Sequence, residues 1–177
     1  WKRPKAIFKK LRQLTRERDQ VVADRTVAKN QLHAELAEAE PGKSSVDRIK
    51  KKISFFDKQE KEIMTELKAV MSVDDDLKRL VALICTIPGV GLLTAIIVLA
   101  ETNGFELIRN KRQLVSYAGL DVREKQSGTS VRGKPRISKK GNRFLRKAMH
   151  FPALSAISHD EKYKAIFARL VSKHGIK

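Results

Sequence analysis

The chain has 177 residues, 38 Lys and Arg against 20 Asp and Glu, and a net charge of +18. Its pI is near 10.2. That length allows one or two compact units, and that charge favours nucleic acid over any small acidic substrate. One cysteine, Cys85, excludes a disulfide framework within the chain, and four scattered histidines give no metal-ligand spacing. Cys85 sits in an apolar run and reads as a small buried hydrophobe. The sequence starts at Trp1, so a piece of a longer protein is expected, and its charged first residues do not resemble a signal peptide.

The first third predicts helix. Ile7, Leu11, Leu14, Val21, Ala28 and Leu32 recur at heptad-like spacing, interrupted by Arg18 and Arg25. Pro4 suits the first turn. EPGKSS at 40–45 is a turn, with Ser45 the expected N-cap of a second helix. There Val46, Ile49, Ile53, Phe56, Ile63, Leu67 and Val70 step by three and four, and Glu60 is the polar exception. Two such helices predict an antiparallel hairpin over 1–72. A hairpin of two stripes needs further cover, from another domain or from a second copy, the latter giving a homo-oligomer, dimer or higher; the alternative is that the stripes pack only on each other and on the C-terminal part.

Residues 73–177 read as a second, helical domain. Asp74-Asp75-Asp76 precede an apolar helix and read as a cap favoured by the helix dipole, since consecutive helical residues diverge too far to hold a metal. LVALICTIPGVGLLTAIIVLA at 80–100 carries no charge over a membrane-spanning length. Pro88-Gly89-Val90-Gly91 at its midpoint would break that span, so two short core helices around a tight turn are expected instead. The turn resembles a helix-hairpin-helix, in which Gly89 and Gly91 would let backbone N–H groups approach a phosphate. Leu92 stands where many DNA-binding versions have a basic residue. A purely structural turn is the alternative.

A short helix is expected from Asn110 to Ala118, ended by Gly119. Between Arg123 and Lys147 lie ten Lys or Arg and one acid, Glu124. Such density of like charge implies an anion in place. Gly128, Gly133, Pro135 and Gly141 argue for an irregular basic loop, with a possible short β-ribbon at Ser130 to Ile137. A helix resumes from Asn142, kinked at Pro152, and a last amphipathic helix carries Tyr163, Ile166, Phe167, Leu170 and Val171. The fold class expected is mainly α.

Within the loop, QSGTSVRGKPRISKKGNRFLR at 126–146 sets hydroxyls among cations. Phosphoryl transfer needs fixed cations and donors around the phosphate, and a hydroxyl can attack phosphorus to form a protein–DNA ester. Arg123, Lys125, Arg132 and Lys134 are candidate phosphate clamps, with Arg136, Lys139, Lys140, Arg143 and Arg146 further along the backbone path. Chemistry alone does not choose among Ser127, Thr129 and Ser130, and each hydroxyl could simply donate to phosphate.

IPGVGLLTA, QLVSYAGL and SGTSVRGKPRISKKGNRFLRKA, in this order, resemble the C-terminal transposase domain of the IS110/IS116/IS902 insertion-sequence family. The paired helices before them resemble that family's coiled-coil segment. The resemblance implies that Ser127 is the nucleophile that links to DNA, with Thr129 and Ser130 as phosphate or loop ligands. It also implies a preceding RuvC-like domain with an acidic divalent-metal site, absent here, and a structured guide RNA as partner beside DNA. No cofactor is expected in this stretch, which alone would bind nucleic acid without completing recombination. A bacterial or archaeal cytoplasmic, nucleoid-associated protein with no membrane partner is implied. Val122 departs from a proline common in relatives after the AGL motif. The rival readings are a non-catalytic nucleic-acid-binding module and a helical interaction protein.

Overall fold

A computed structural model describes residues 5–106, 108–127 and 131–174, with backbone only at 124–127, 131–135 and 174. Eight helices and one two-stranded sheet make up the described chain, which is mainly α. Two compact units are formed: Lys9–Asp75, and Trp1–Phe8 with Asp76–Lys177.

The first unit is the helical hairpin. Helix α1 runs Ala6–Leu36 and α2 runs Lys43–Ser72. Leu11, Leu14, Val21 and Ala28 of α1 are buried, as are Val46, Ile63 and Leu67 of α2. The α1 stripe differs at its start, where Phe8 is buried and Ile7 only half-buried. Helix α2 starts earlier than Ser45 suggests, because Gly42 takes the N-cap position with extended backbone and no side-chain cap. Pro4 lies outside the described residues.

The polar residues that break the two stripes meet each other. Arg18 and Arg25 of α1 both donate to the Glu60 carboxylate, and Arg25 Nη1 donates to Asp57 Oδ1 at 2.7 Å. The hydrogen bond to Asp57, with further help from Glu60, raises the Arg25 guanidinium above its ordinary value against the opposing effect of burial. Glu60 is only 16% exposed, so removing it takes the carboxylate from Arg18 and leaves Arg25 with Asp57 alone. Breaking a buried pair from one side costs more than deleting an exposed one. Glu60→Ala is therefore expected to lower stability by about 2 kcal/mol, against less than about 1 kcal/mol for Lys10→Ala. Lys10 bridges Glu66 at 2.6 Å with both side chains nearly half exposed. Urea unfolding of the two variants checks the ranking.

In the second unit, α3 spans Asp75–Cys85 and α4 spans Leu92–Thr102. The acids Asp74 to Asp76 therefore stand at the start of α3. Helix α4 is buried almost all round, through Ala95, Ile96, Val98, Leu99 and Ala100, as its nearly unbroken apolar sequence requires. Helix α3 buries Leu77 and Val81 but leaves Leu80 and Leu83 exposed. Cys85 is also exposed, contrary to the apolar-run expectation, because it ends α3 where the chain turns away. No helix among the described residues is long and apolar enough to cross a membrane.

Helix α5 spans Lys111–Tyr117. Asn110 caps it by accepting from Gln113 N at 2.9 Å. Its end is a Schellman motif: Gly119 N donates to Ser116 O at 2.8 Å and Leu120 N to Val115 O at 2.9 Å.

The basic segment forms a two-stranded antiparallel ribbon, β1 Val122–Ser127 and β2 Val131–Ile137: the short ribbon expected up to Ile137 is there as β2, and the segment before it, expected as irregular loop, is its partner strand β1. The register pairs Val122 with Ile137, Arg123 with Arg136, Lys125 with Gly133, Gln126 with Arg132 and Ser127 with Val131. One extra β2 residue between Gly133 and Arg136 makes a bulge. Pro135, which has no N–H for the ladder, falls there, where a strand tolerates it.

Helices α6 Arg143–Ala148, α7 His150–His159 and α8 Glu161–His174 complete the unit. Pro152 lies within the first turn of α7, and the break falls before it, at Met149. The apolar face of α8 is solvent-facing, with Tyr163, Ile166, Phe167 and Leu170 all exposed.

Candidate nucleic-acid interface

The ribbon is clamped at its base. Ser138 N donates to Asp121 O at 2.8 Å and Lys139 N to Gly119 O at 3.0 Å, while Ser138 Oγ donates to Asp121 Oδ1 at 2.7 Å. Lys139 takes a left-handed conformation, φ +54°, to turn the chain out of β2.

Below the clamp, two chain segments cross at van der Waals contact. A Cβ on Gly141 would stand 2.2 Å from Tyr117 O and 2.3 Å from Gly119 N, both backbone atoms. Gly119, at φ +67°, is the other half of the crossing. Asn142 N donates to Tyr117 O at 2.7 Å. The Asn142 side chain then works in two directions. Its Oδ1 accepts from Phe144 N and Leu145 N, capping α6, and its Nδ2 donates to Glu101 Oε2 at 2.6 Å. Glu101 is only 1% exposed, and its backbone carbonyl accepts from Tyr117 Oη at 2.9 Å. A buried carboxylate from the end of α4 is thus tied to the α5–ribbon–α6 junction. Val98, Ala118 and Leu145 pack beneath it.

Ser127 is the last residue of β1, five steps beyond Val122 at the ribbon's base. At about 3.3 Å per residue, that places it about 17 Å out along the strand. Thr129 and Ser130 lie outside the described residues. Of the candidate clamps, Arg123, Lys125, Arg132, Lys134 and Arg136 are all in the two strands. Arg123 and Arg136 face each other in the register and are exposed. Lys139 and Lys140 follow at the base, exposed as well. Arg143, also exposed, stacks its guanidinium 4.8 Å from the centre of the Phe144 ring.

Arg146 is different. It is half-buried, its Nη1 donates to Ala118 O at 2.7 Å, and it packs on Gly119, so it closes the Schellman turn.

The α3–α4 turn separates its two glycines. Val90 N donates to Ile87 O at 3.0 Å, and Gly89 has φ +81°. Pro88 and Gly89 thereby fill the two central positions of a type II turn. A Cβ on Gly89 would stand 2.5 Å from Ser155 Cβ, so this glycine serves packing on α7. Gly91 has open space around it. No described contact joins this turn to the ribbon.

Sequence reasoning missed Glu101 and Tyr117, and took Gly141 only as a helix breaker, not as the point of close backbone approach. Glu101 follows the uncharged run at once and opens ETNG, where an acid passes for the beginning of a loop, yet it lies one residue inside the end of α4. Among the described residues no group of three or more His, Cys, Asp or Glu side chains is positioned to hold a metal.

Residues 81–168, which include the ribbon, its clamp and the crossing, match the model of the transposase IS116/IS110/IS902 family. The chain belongs to that family. It is 36% identical over 96 residues to the transposase for insertion sequence element IS1111A of Coxiella burnetii, covering 53% of this chain and 24% of that one. It is 33% identical over 84 residues to the insertion element IS110 43.6 kDa protein of Streptomyces coelicolor, covering 48% and 20%. A pilin gene-inverting protein of Moraxella bovis is 34% identical over 79 residues, covering 45% and 24%. The chain thus spans between a fifth and a quarter of the length of these relatives.

Proposed function

We propose that this chain is the DNA-handling C-terminal part of an IS110-type transposase, with Ser127 as nucleophile. The observation that carries the reading is the position of Ser127 at the outer end of β1, on a ribbon bearing five Lys or Arg within its strands. In the first step Ser127 Oγ would bond to a DNA phosphorus as the bond from phosphorus to the leaving deoxyribose oxygen breaks. The hydroxyl proton passes to a base and the leaving oxygen gains one. A strand hydroxyl then attacks the same phosphorus, releasing Ser127 and restoring a phosphodiester. Bonds of one kind are exchanged, so no external energy source is needed.

The chain's own residues supply phosphate contacts. Arg123, Lys125, Arg132, Lys134 and Arg136 would grip the strand along the ribbon, with Lys139, Lys140 and Arg143 extending the path at its base. Thr129 and Ser130 would contact phosphate near the nucleophile. Gly91, open at the start of α4, remains a candidate for a backbone contact, whereas Gly89 and Arg146 serve packing. A divalent metal, where the reaction uses one, is assigned to a RuvC-like domain outside this chain. The reading includes a homo-oligomer formed through the hairpin and a structured guide RNA beside DNA.

Salt dependence tests the grip. Each duplex phosphate neutralised contributes about 0.9 to the log–log slope of affinity against salt. Arg132→Ala with Lys134→Ala is expected to flatten that slope by about 2, measured by fluorescence anisotropy on duplex DNA. An unchanged slope removes both residues from the phosphate path.

A further inference from the structure

The hairpin carries an outward face that neither its seam nor the ribbon explains. On α2, Lys51, Lys52, Phe55 and Lys58 lie three, four, seven and ten residues after Arg48, which sets all five along one side of a helix. All five are exposed. The seam residues Ile49, Ile53, Phe56, Glu60 and Ile63 lie on a different side. At 1.5 Å per residue, the stripe from Arg48 to Lys58 is about 15 Å long.

Its chemistry is specific. Among the described residues no ion pair reaches Arg48, Lys51, Lys52 or Lys58. The acids Asp47 and Glu62 bound the stripe at its two ends, and Asp57 is turned to Arg25. Phe55 is 56% exposed in the middle, which is unusual for a large aromatic ring among cations. Its ring leans on Phe56, 6.0 Å away and tilted 54°, and Phe56 in turn lies 6.0 Å from Lys52 Nζ. The ring is therefore supported from the seam side while its other side is free.

We infer that this face of α2 binds an unpaired stretch of DNA, with Arg48, Lys51, Lys52 and Lys58 on the phosphates and Phe55 stacked on a base. Cations along a backbone path with an aromatic platform are what single-strand binding requires, and only an unpaired base offers its face for stacking. A second copy of the chain fits worse. A two-fold contact centred on Phe55 would bring the four cations of each copy against one another. The choice of DNA rests on the transposase reading; the choice of an unpaired strand rests on Phe55.

The test uses the 177-residue protein and a fluorescein-labelled 20-nucleotide single strand of DNA, with RNA of the same sequence and a DNA duplex in parallel. Anisotropy is followed across a salt series. Replacing Arg48, Lys51 and Lys52 together by Gln is expected to flatten the single-strand slope by about 2, at about 0.7 per contact. Phe55→Ala is expected to weaken single-stranded DNA roughly tenfold, one lost stack, and to leave duplex affinity within about twofold. A single strand carrying 5-iodouracil, irradiated and digested with trypsin, should leave its adduct on the peptide Ile53–Lys58.

An unchanged slope, or adducts confined to other peptides, overturns the proposal. So does a Phe55→Ala effect confined to RNA, which assigns the face to RNA. A Phe55→Ala protein that sediments as a smaller species with unaltered affinity assigns it to self-association. An adduct on Ile53–Lys58 stands even if Ser127 proves not to be a nucleophile, so the two readings fail separately.

Discussion

Ser127→Ala in the parent protein, with its nucleic-acid partners, is expected to abolish strand exchange while binding DNA within about fivefold of the unaltered protein. The contrast follows from what one hydroxyl can contribute in each role. As a hydrogen-bond donor to phosphate it is worth about 1 kcal/mol, a factor of about five. As the attacking atom it has no substitute, and losing the group that forms the covalent intermediate removes catalysis by orders of magnitude. The covalent step also leaves a direct trace, a protein–DNA band that survives denaturation and maps by peptide mass to Ser127. Its absence beside normal binding would leave the ribbon as a phosphate grip and place the chemistry elsewhere. An adduct on Thr129 or Ser130 would keep the chemistry in the ribbon and move it to another hydroxyl. Ser127→Cys discriminates further, because a thiol keeps a nucleophile at the position while altering its bond to phosphorus.

Much of the framework was legible because local signals and the final packing agree. Asn110 and Gly119 mark the two ends of α5 and serve there as N-cap and Schellman glycine. The two core helices flank the Pro88-Gly89 turn as their uninterrupted apolar letters imply. The ribbon was harder. Gly133 and Pro135 read as breakers in any local window, and only the pairing of β1 with β2 provides a bulge in which a proline costs no ladder bond. The polar layer of the hairpin was visible only as interruptions. Arg18 and Glu60 are 42 residues apart, and a stripe read along one helix cannot say that the exception on the other is its partner.

The site was legible in its charge and not in its support. Cations gathered between Arg123 and Lys147 announce an anion, yet letters do not separate Arg143, exposed beside Phe144, from Arg146, turned inward onto Ala118 O. The difference depends on the crossing of two segments, which no local pattern encodes. Glu101 is hidden for the same reason. Its partner Asn142 is 41 residues away, and the bond between them exists only once α4 and α6 have packed.

That crossing gives the largest stability effect expected in the chain. Gly141→Ala would insert a carbon 2.2 Å from Tyr117 O, 2.3 Å from Gly119 N and 2.8 Å from Ala118 C. All three are backbone atoms, so no side chain can swing aside, and one segment must move by about an ångström. Moving it strains the bond from Asn142 N to Tyr117 O, the α6 cap and the link from Asn142 to the buried Glu101 together. A lost cap costs about 1 kcal/mol, and a buried acceptor left without its donor costs about 1–3 kcal/mol. A total of about 2–4 kcal/mol is expected, a fall of about 10–25 °C in the melting temperature of a unit of this size. Gly91→Ala is the matched control. Its Cβ meets nothing within 4 Å and its φ is −86°, which alanine adopts freely, so its melting temperature should stay within about 2 °C. Because the crossing anchors the ribbon, Gly141→Ala should also weaken duplex binding at temperatures where the hairpin unit is still folded. Equal melting temperatures for the two variants would mean that the crossing yields without cost, and that the ribbon is held by its clamp at Asp121 and Ser138 alone.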